Sequence, residues 1–361
     1  MFTLSRRFGA SAPRARTIAL ALVAVTVLAA CSSAQGGESA TNASGTCEPA
    51  ETPVINFAAY STPREAYGKI IPAFVSQWKE DHDDQNVIFQ ESYQGSTTQA
   101  ANVIAGYEAD VVALSLAPDV DQIADAGIIT HDWTDTTDAG MVSSSVVVFD
   151  VRPGNPLGIA DWDDLAGDVE ILTPDPASSG GARWNLVSLW GAALRGYAGV
   201  DEGDEVGATS LMQDVLGNVI VFDKNARDSI QNFEAGNGDV AITYENEVLT
   251  AQEAGLDDEA VYPPSTVLIE NPVAVVDTWV DEHCVREVAE AFVEYLHSPE
   301  AKEIFTEVGF LRSTDVKEAQ KGGGQFPAIE DLFTVEEIGG WDALNDRLFS
   351  DSGIVTQAIA G

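Results

Sequence analysis

Three times along the chain a strand-like run gives way to a cluster of small polar residues that opens a helical pattern. The clusters are Gly95-Ser96-Thr97-Thr98, Ser178-Ser179-Gly180-Gly181 and Asn225-Ala226-Arg227-Asp228-Ser229. Strands that run directly into helices point to an α/β architecture, in which parallel strands deliver every such junction to one edge of a sheet. At each helix start the first backbone N–H groups lack intrahelical acceptors. Glycine beside them lets an anion approach closely, and serine adds an O–H donor. Taken singly, each cluster reads as an ordinary helix cap. Their repetition at strand ends favours a ligand site.

The periodicities between the junctions support this frame. Residues 54–60 read as a first strand, and Tyr67, Ile70, Ile71, Phe74, Val75 and Trp78 then recur at helical spacing. Pro72 within that pattern predicts a late start or a kink. Further strands are expected at 87–90, 111–116, 144–151, 170–173, 239–244 and 267–276, with a short helix at 162–165. Ser96 with Gln99 has the spacing of a capping box. Ser298-Pro299-Glu300 supplies a cap, a first-position proline and a first-turn acid. No internal repeat is present. Two lobes are expected: residues 51–140 and 265–361 forming the first, with the chain end as a tail across the lobes, and residues 141–264 forming the second.

The first sixteen residues carry Arg6, Arg7, Arg14 and Arg16 and no acid, and an apolar stretch over 17–30 ends in Leu28-Ala29-Ala30-Cys31. This predicts a signal peptide over 1–30, too short in its apolar part for a lasting membrane span. Small residues before a cysteine fit lipoprotein processing, with lipid on Cys31 and residues 31–50 as a flexible tether; ordinary secretion is the alternative. The chain has 18 basic and 58 acidic residues, net −40; without the four leading arginines the balance is 14 against 58, or −44. Such acidity disfavours nucleic acid or an anionic membrane surface as partner. Cys47 and Cys284 remain, able to form one disulfide in an oxidising compartment or to stay as separate thiols.

Enzyme patterns are not found. His82, His131, His283 and His297 lack zinc-ligand spacing, and there is neither a Gly-x-Ser-x-Gly elbow nor a Walker-type phosphate loop. Tyr60 and Tyr244 with neighbouring acids make a weak metal clamp, since tyrosine near a strand end usually serves core or rim. The expectation is therefore capture of a solute without chemistry and without a cofactor.

One longer stretch is more specific. Leu172-Thr173-Pro174-Asp175-Pro176-Ala177-Ser178-Ser179-Gly180-Gly181-Ala182-Arg183-Trp184-Asn185 resembles the signature of periplasmic sulfate- and thiosulfate-binding proteins, the capturing components of sulfate ABC importers. In the same order, residues 93–99, 109–120, 162–165, 238–247 and 263–265 resemble that family, so the resemblance spans roughly 54–312. It implies a two-lobe periplasmic-binding-protein fold with hinge-linked open sheets, sulfate as ligand, and a membrane-embedded ABC permease as partner. Thiosulfate, then molybdate or phosphate, are the alternatives. It places the protein, through its lipid, on the extracytoplasmic face of the membrane. Carried over by position, the donors are the backbone and hydroxyl of Ser96, the N–H run of Ser179, Gly180 and Gly181, the backbone at Ser229, and a ring donor at residue 244. Two departures stand out. Tyr244 replaces the usual tryptophan, so an O–H takes the place of an indole N–H. Tyr60-Ser61-Thr62-Pro63-Arg64 replaces the usual tyrosine-aspartate-proline-threonine-arginine, where Ser61 retains a backbone donor. The resemblance also implies that Arg183 and Arg227 pair with acids around the cleft rather than touching the ligand.

Overall fold

Apolar alternation decides both faces of the first sheet. In β1 (Val54–Tyr60), Ile55, Phe57 and Ala59 enter one apolar cluster and Ala58 another, the period-two pattern of a strand covered on both sides. The computed structural model describes residues 47–360; the proposed leader, Cys31 and most of the tether lie outside the described residues. β1 pairs in parallel with β2 (Ile88–Gln94) and β3 (Val111–Ala113). The helices α1 (Arg64–Asp81), α2 (Ser96–Ile104) and α3 (Ala117–Asp125) follow these strands in turn. On one face Phe57 meets Tyr67 edge-on at 4.7 Å between ring centroids. On the other, Ala100, Val103, Val120 and Ile123 cover Ala58 and Val112.

Pro72 neither delays α1 nor divides it. An interior proline costs about 3 kcal/mol, and the buried face of Tyr67, Ile70, Ile71, Phe74 and Trp78 offsets it. The capping box expected at Ser96 and Gln99 does not form. Gln99 turns inward instead, donating to the carbonyls of Ala59 at 3.0 Å and Ser92 at 2.7 Å, and Gly95 is the cap residue. The amide bridges β1 and β2 at once, meeting two carbonyls where a capping box would meet one N–H.

The second sheet repeats the plan. β4 (Met141–Val151) is antiparallel to β7, while β5 (Ile171–Pro174) runs parallel to both β6 (Val219–Asp223) and β7 (Val240–Tyr244). α4 (Gly180–Leu194), preceding α5 (Glu205–Gly217), follows β5; α6 (Ala226–Glu234) follows β6; α7 (Glu245–Glu253) follows β7. Val240, Ile242 and Tyr244 face Trp184 and its neighbours, whereas Ala241 faces Ile230 and Phe233. β8 (Glu259–Val261) is short and joins β4.

Two long strands join the sheets. β9 (Ser265–Val275) pairs with β3 through residues 273–275 and with β4 through residues 268–272, while residues 147–151 of β4 pair with β7. β9 thus continues the first sheet and β4 the second, and their mutual pairing makes the two strands the hinge. α8 (Asp277–Glu282), α9 (Arg286–Leu296) and α10 (Pro299–Glu307) return to the first sheet, with Phe292 and Phe305 in its core. Ser298 caps α10 as expected, accepting from the Ala301 N–H at 3.1 Å. The tail contains α11 (Val316–Lys321), β10 (Asp331–Phe333), α12 (Gly340–Leu344) and α13 (Ile354–Ala360). Phe333, Leu344, Leu348 and Val355 enter the Trp184 cluster. The apolar side chains of the tail thus pack on the second lobe, while Gln325 reaches the first, donating to Thr306 O of α10 at 2.8 Å. Gly191 of α4 makes room for the tail, since a Cβ there would lie 2.3 Å from the Phe333 ring.

Cys47 and Cys284 are joined, with Cα atoms 5.3 Å apart and 237 residues between them in sequence. The bond fastens the first described residue to the turn between α8 and α9. Closing so long a loop restricts the unfolded chain strongly. Non-reducing peptide mapping should recover Cys47 linked to Cys284, and Cys47→Ser should lower unfolding stability by about 2–5 kcal/mol. Free thiols at both positions, or an undiminished denaturation midpoint, would contradict this.

Candidate functional site

Parallel strands place their C-terminal ends on a common edge, and in this chain the two edges meet. β1, β2 and β3 end at Ser61, Gly95-Ser96 and Ser115; β5, β6 and β7 end at Ser178–Gly181, Asn225 and Tyr244. Hydrogen bonds cross between the two sets. Thr98 donates its N–H to Ser178 O at 3.2 Å, Ser61 Oγ meets Asn225 Oδ1 at 3.3 Å, and Trp184 Nε1 donates to Ser115 O at 2.7 Å. The Ser115 and Tyr244 hydroxyls lie 2.7 Å apart. Glycine is required where the lobes touch: a Cβ on Gly95 would stand 2.3 Å from Ser178 O, and one on Gly180 would stand 2.8 Å from Leu116 Cγ and 2.9 Å from Ser115 Oγ.

The donors left over at this meeting are uncharged. Among the described residues no acceptor meets the N–H groups of Ser61, Ser96, Gly180, Gly181 or Ala226. Four of these five belong to the first turns of helices, where the backbone lacks intrahelical acceptors and the dipole favours negative charge. The remaining expected donors need correction. Ser96 offers no hydroxyl, because its Oγ–H is committed to Asp119 Oδ2 at 2.5 Å. Ser179 offers no N–H, which is bonded to Asp175 O at 2.9 Å; its Oγ accepts from Ala182 N, leaving the O–H. The backbone of Ser229 is also spent, donating to Asn225 O at 3.2 Å, because α6 begins three residues earlier than a donor at Ser229 requires. Ala226 is the helix residue with the open N–H, and Ser229 Oγ is buried without a partner.

Of the two arginines expected to pair with acids, only Arg227 does so directly. Arg227 donates from Nε to Glu247 at 2.7 Å and from Nη1 to Glu65 at 2.7 Å, so one guanidinium bridges α6, α7 and α1 across the lobes. Burial opposes its charge, but the two glutamates outweigh burial and raise its pKa. Arg183 donates from Nε to Pro176 O at 3.0 Å. Asp119 is fully buried; desolvation pushes its pKa up, while Ser96, Arg183 and Thr97 oppose the rise. Burial raises the Tyr244 hydroxyl far above the usual phenol range, against the Ser115 hydrogen bond, so it stays neutral and able to donate.

A family model described as bacterial extracellular solute-binding protein matches residues 55–311. The sulfate-binding protein of Synechococcus elongatus is 40% identical over 351 residues, spanning 96% of this chain and 97% of that protein. The sulfate-binding protein of Escherichia coli is 42% identical over 305 residues, with 83% and 91% spanned, and the thiosulfate-binding protein of the same organism is 34% identical over 316 residues, with 86% and 91% spanned. Among solved structures, the sulfate-binding protein SubI of Mycobacterium tuberculosis matches with a TM-score of 0.73 at 33% identity, over 82% of this chain and all of that one. The chain belongs to the sulfate/thiosulfate-binding protein family. Members are the solute-binding, non-catalytic components of ABC importers, and the two-lobe α/β fold with hinge-linked sheets is the one the sequence predicts.

Within this family frame, sequence reasoning missed Ser115, Asp119 and Ala226. Ser115 lies inside an apolar run, and its partner Tyr244 lies 129 residues away. Asp119 carried one available signal, an acid in the first turn of a helix that directly follows a strand. The Gly95 geometry yields a clean test of closure. Its φ of −63° and ψ of 141° suit alanine, so Gly95→Ala should leave each lobe folded and obstruct only the contact with Ser178. Melting should be near wild type, while sulfate or thiosulfate affinity falls by about tenfold or more, the scale of an overpacked contact. Undiminished anion affinity in calorimetry would show that the lobes do not need to meet there.

Proposed function

We propose that this protein captures sulfate outside the cytoplasm and delivers it to a membrane-embedded ABC permease, held at the membrane by lipid on Cys31. The observation that carries the reading is the set of open, uncharged donors contributed by both lobes: the N–H groups of Ser61, Ser96, Gly180, Gly181 and Ala226 and the Ser179 hydroxyl. A dianion taken out of water loses a large hydration energy, so each oxygen must be met by hydrogen bonds. Backbone dipoles supply these without a free cation. Sulfate carries no proton near neutral pH and matches a field of donors. Phosphate usually carries one and sets a donor against these donors. Relatives named for sulfate at 38–42% identity and for thiosulfate at 34–35% support sulfate first and thiosulfate second.

Competitive calorimetry with sulfate, thiosulfate, molybdate and phosphate tests the cargo. Sulfate should bind tightest and phosphate poorly. Gly181→Val should cost about tenfold or more in sulfate affinity with no change of charge: the first side-chain carbon already meets Ser179 Oγ at 3.4 Å and Ala226 Cβ and the Tyr244 ring at 3.5 Å, so the added methyls crowd the open donors. Phosphate binding as tightly as sulfate, or a variant that binds like wild type, would refute the assignment.

The anchor rests on Leu28-Ala29-Ala30-Cys31 followed by a polar segment. Mass spectrometry of the mature protein should find a diacylglycerol-modified Cys31 as its first residue. A soluble protein beginning elsewhere would count against it.

A further inference from the structure

Ser115 has three polar groups, and each holds a different element. Its N–H donates to Ser96 Oγ at 3.0 Å, its carbonyl accepts from Trp184 Nε1 at 2.7 Å, and its hydroxyl lies 2.7 Å from that of Tyr244. Ser115 follows β3 in the first lobe, whereas Trp184 in α4 and Tyr244 at the end of β7 belong to the second. Two of its three bonds therefore exist only while the lobes are together. Ser115 and Tyr244 are each 1% exposed, so water does not compete for their hydroxyls.

We infer that Ser115 is a closing residue of the cleft and that the Ser115–Tyr244 hydroxyl pair offers one O–H to the bound anion. The inference deepens the proposed oxyanion capture and rests on it for the second clause. Two hydroxyls carry two protons. One proton is consumed between them, whichever oxygen donates, and the other finds no acceptor among the described residues. A buried hydroxyl with an unused proton is costly unless a ligand accepts it. The spare proton sits beside the open backbone donors: a Cβ on Gly180 would lie 2.9 Å from Ser115 Oγ, and one on Gly181 would lie 3.5 Å from the Tyr244 ring. An anion oxygen at the Gly180–Gly181 N–H groups is the acceptor that completes the pair. Tyr244 thus does not act alone in place of an indole; with Ser115 it forms a donor assembled from both lobes.

The test uses Ser115→Ala, Tyr244→Phe and the double variant in the full-length mature protein, with sulfate and thiosulfate as probes. For the anion that wild type binds, each single variant should lose about tenfold in affinity, chiefly through faster dissociation in stopped-flow fluorescence. The double variant should lose about as much as one single, far short of the product, because both hydroxyls act through one bond. Cargo-independent evidence comes from exchange of the Trp184 indole proton in anion-free protein by NMR, which either substitution should accelerate by loosening the closed form. Unchanged affinity in both singles, or a double variant losing the product of the singles, overturns the inference. If wild type binds neither anion, the cargo reading fails on its own. Accelerated indole exchange then still supports the closing role, and unchanged exchange overturns it.

Discussion

The antiparallel pair of β4 and β9 is the constraint on which both halves of the cleft depend, since β9 pairs into the first sheet, β4 into the second, and the two with each other. Where they cross, the side chains are polar and buried. Ser143 Oγ meets Asn271 Oδ1 at 3.3 Å, Ser144 Oγ donates to Ser313 O at 2.5 Å, and Ser145 Oγ meets Asn246 Oδ1 at 3.2 Å. Buried polar groups cost free energy unless paired, so these bonds select one crossing geometry where an apolar crossing would tolerate sliding. Arg312 closes the set. Its N–H donates to Ser144 O at 2.7 Å, and its guanidinium grips both oxygens of Glu245 at 2.6 Å with neither side chain exposed. A buried pair of this kind is tolerable only when its protons and lone pairs are met. Glu245 directly follows Tyr244, so the hinge network holds the residue next to the cleft.

The same electrostatic logic explains why the open donors are neutral. In a chain of net charge −40, a guanidinium near the cleft is readily taken by carboxylates, as Arg227 is by Glu65 and Glu247. Asp119 is met by the Ser96 and Thr97 hydroxyls, with the charge of Arg183 acting on it. Local charges are thus matched within the protein. What remains for a ligand is a field of peptide dipoles, which needs no reorganisation when an anion enters and offers nothing to a proton-bearing competitor.

Much of this was legible in the sequence, for identifiable reasons. β1 and the junctions at Ser96, Gly180 and Asn225 were visible because apolar runs ended abruptly in small polar residues, a signal local in sequence. The misses came where a distant partner overrode a local rule. Gln99 has capping-box spacing but serves the carbonyls of Ala59 and Ser92, and Pro72 breaks a helical rule that the buried face of α1 outweighs. The hydroxyl of Ser96 looks like a free donor in sequence, but Asp119, 23 residues on, takes it. The N–H groups of Ser179 and Ser229 were lost to carbonyls four residues back, a matter of where each turn begins. The tail could not be assigned to a lobe because Phe333, Leu348 and Val355 announce burial without naming the surface that buries them.

Direct bonds between the lobes serve capture only within limits. Thr98 with Ser178 and Arg227 with Glu65 both favour closure without touching a ligand. Each raises the population of the closed form whether or not an anion is present, and a closed, empty cleft admits nothing. Slow escape would then come at the expense of slow entry, and once the empty protein is already mostly closed such a bond adds no further affinity. A bond that improves on anion binding does not carry this penalty. The Ser115–Tyr244 pair is of that kind, because its second proton is satisfied only when an acceptor lies between the lobes. Arg227 with Glu65, complete in itself, sets the baseline from which the anion must shift the hinge.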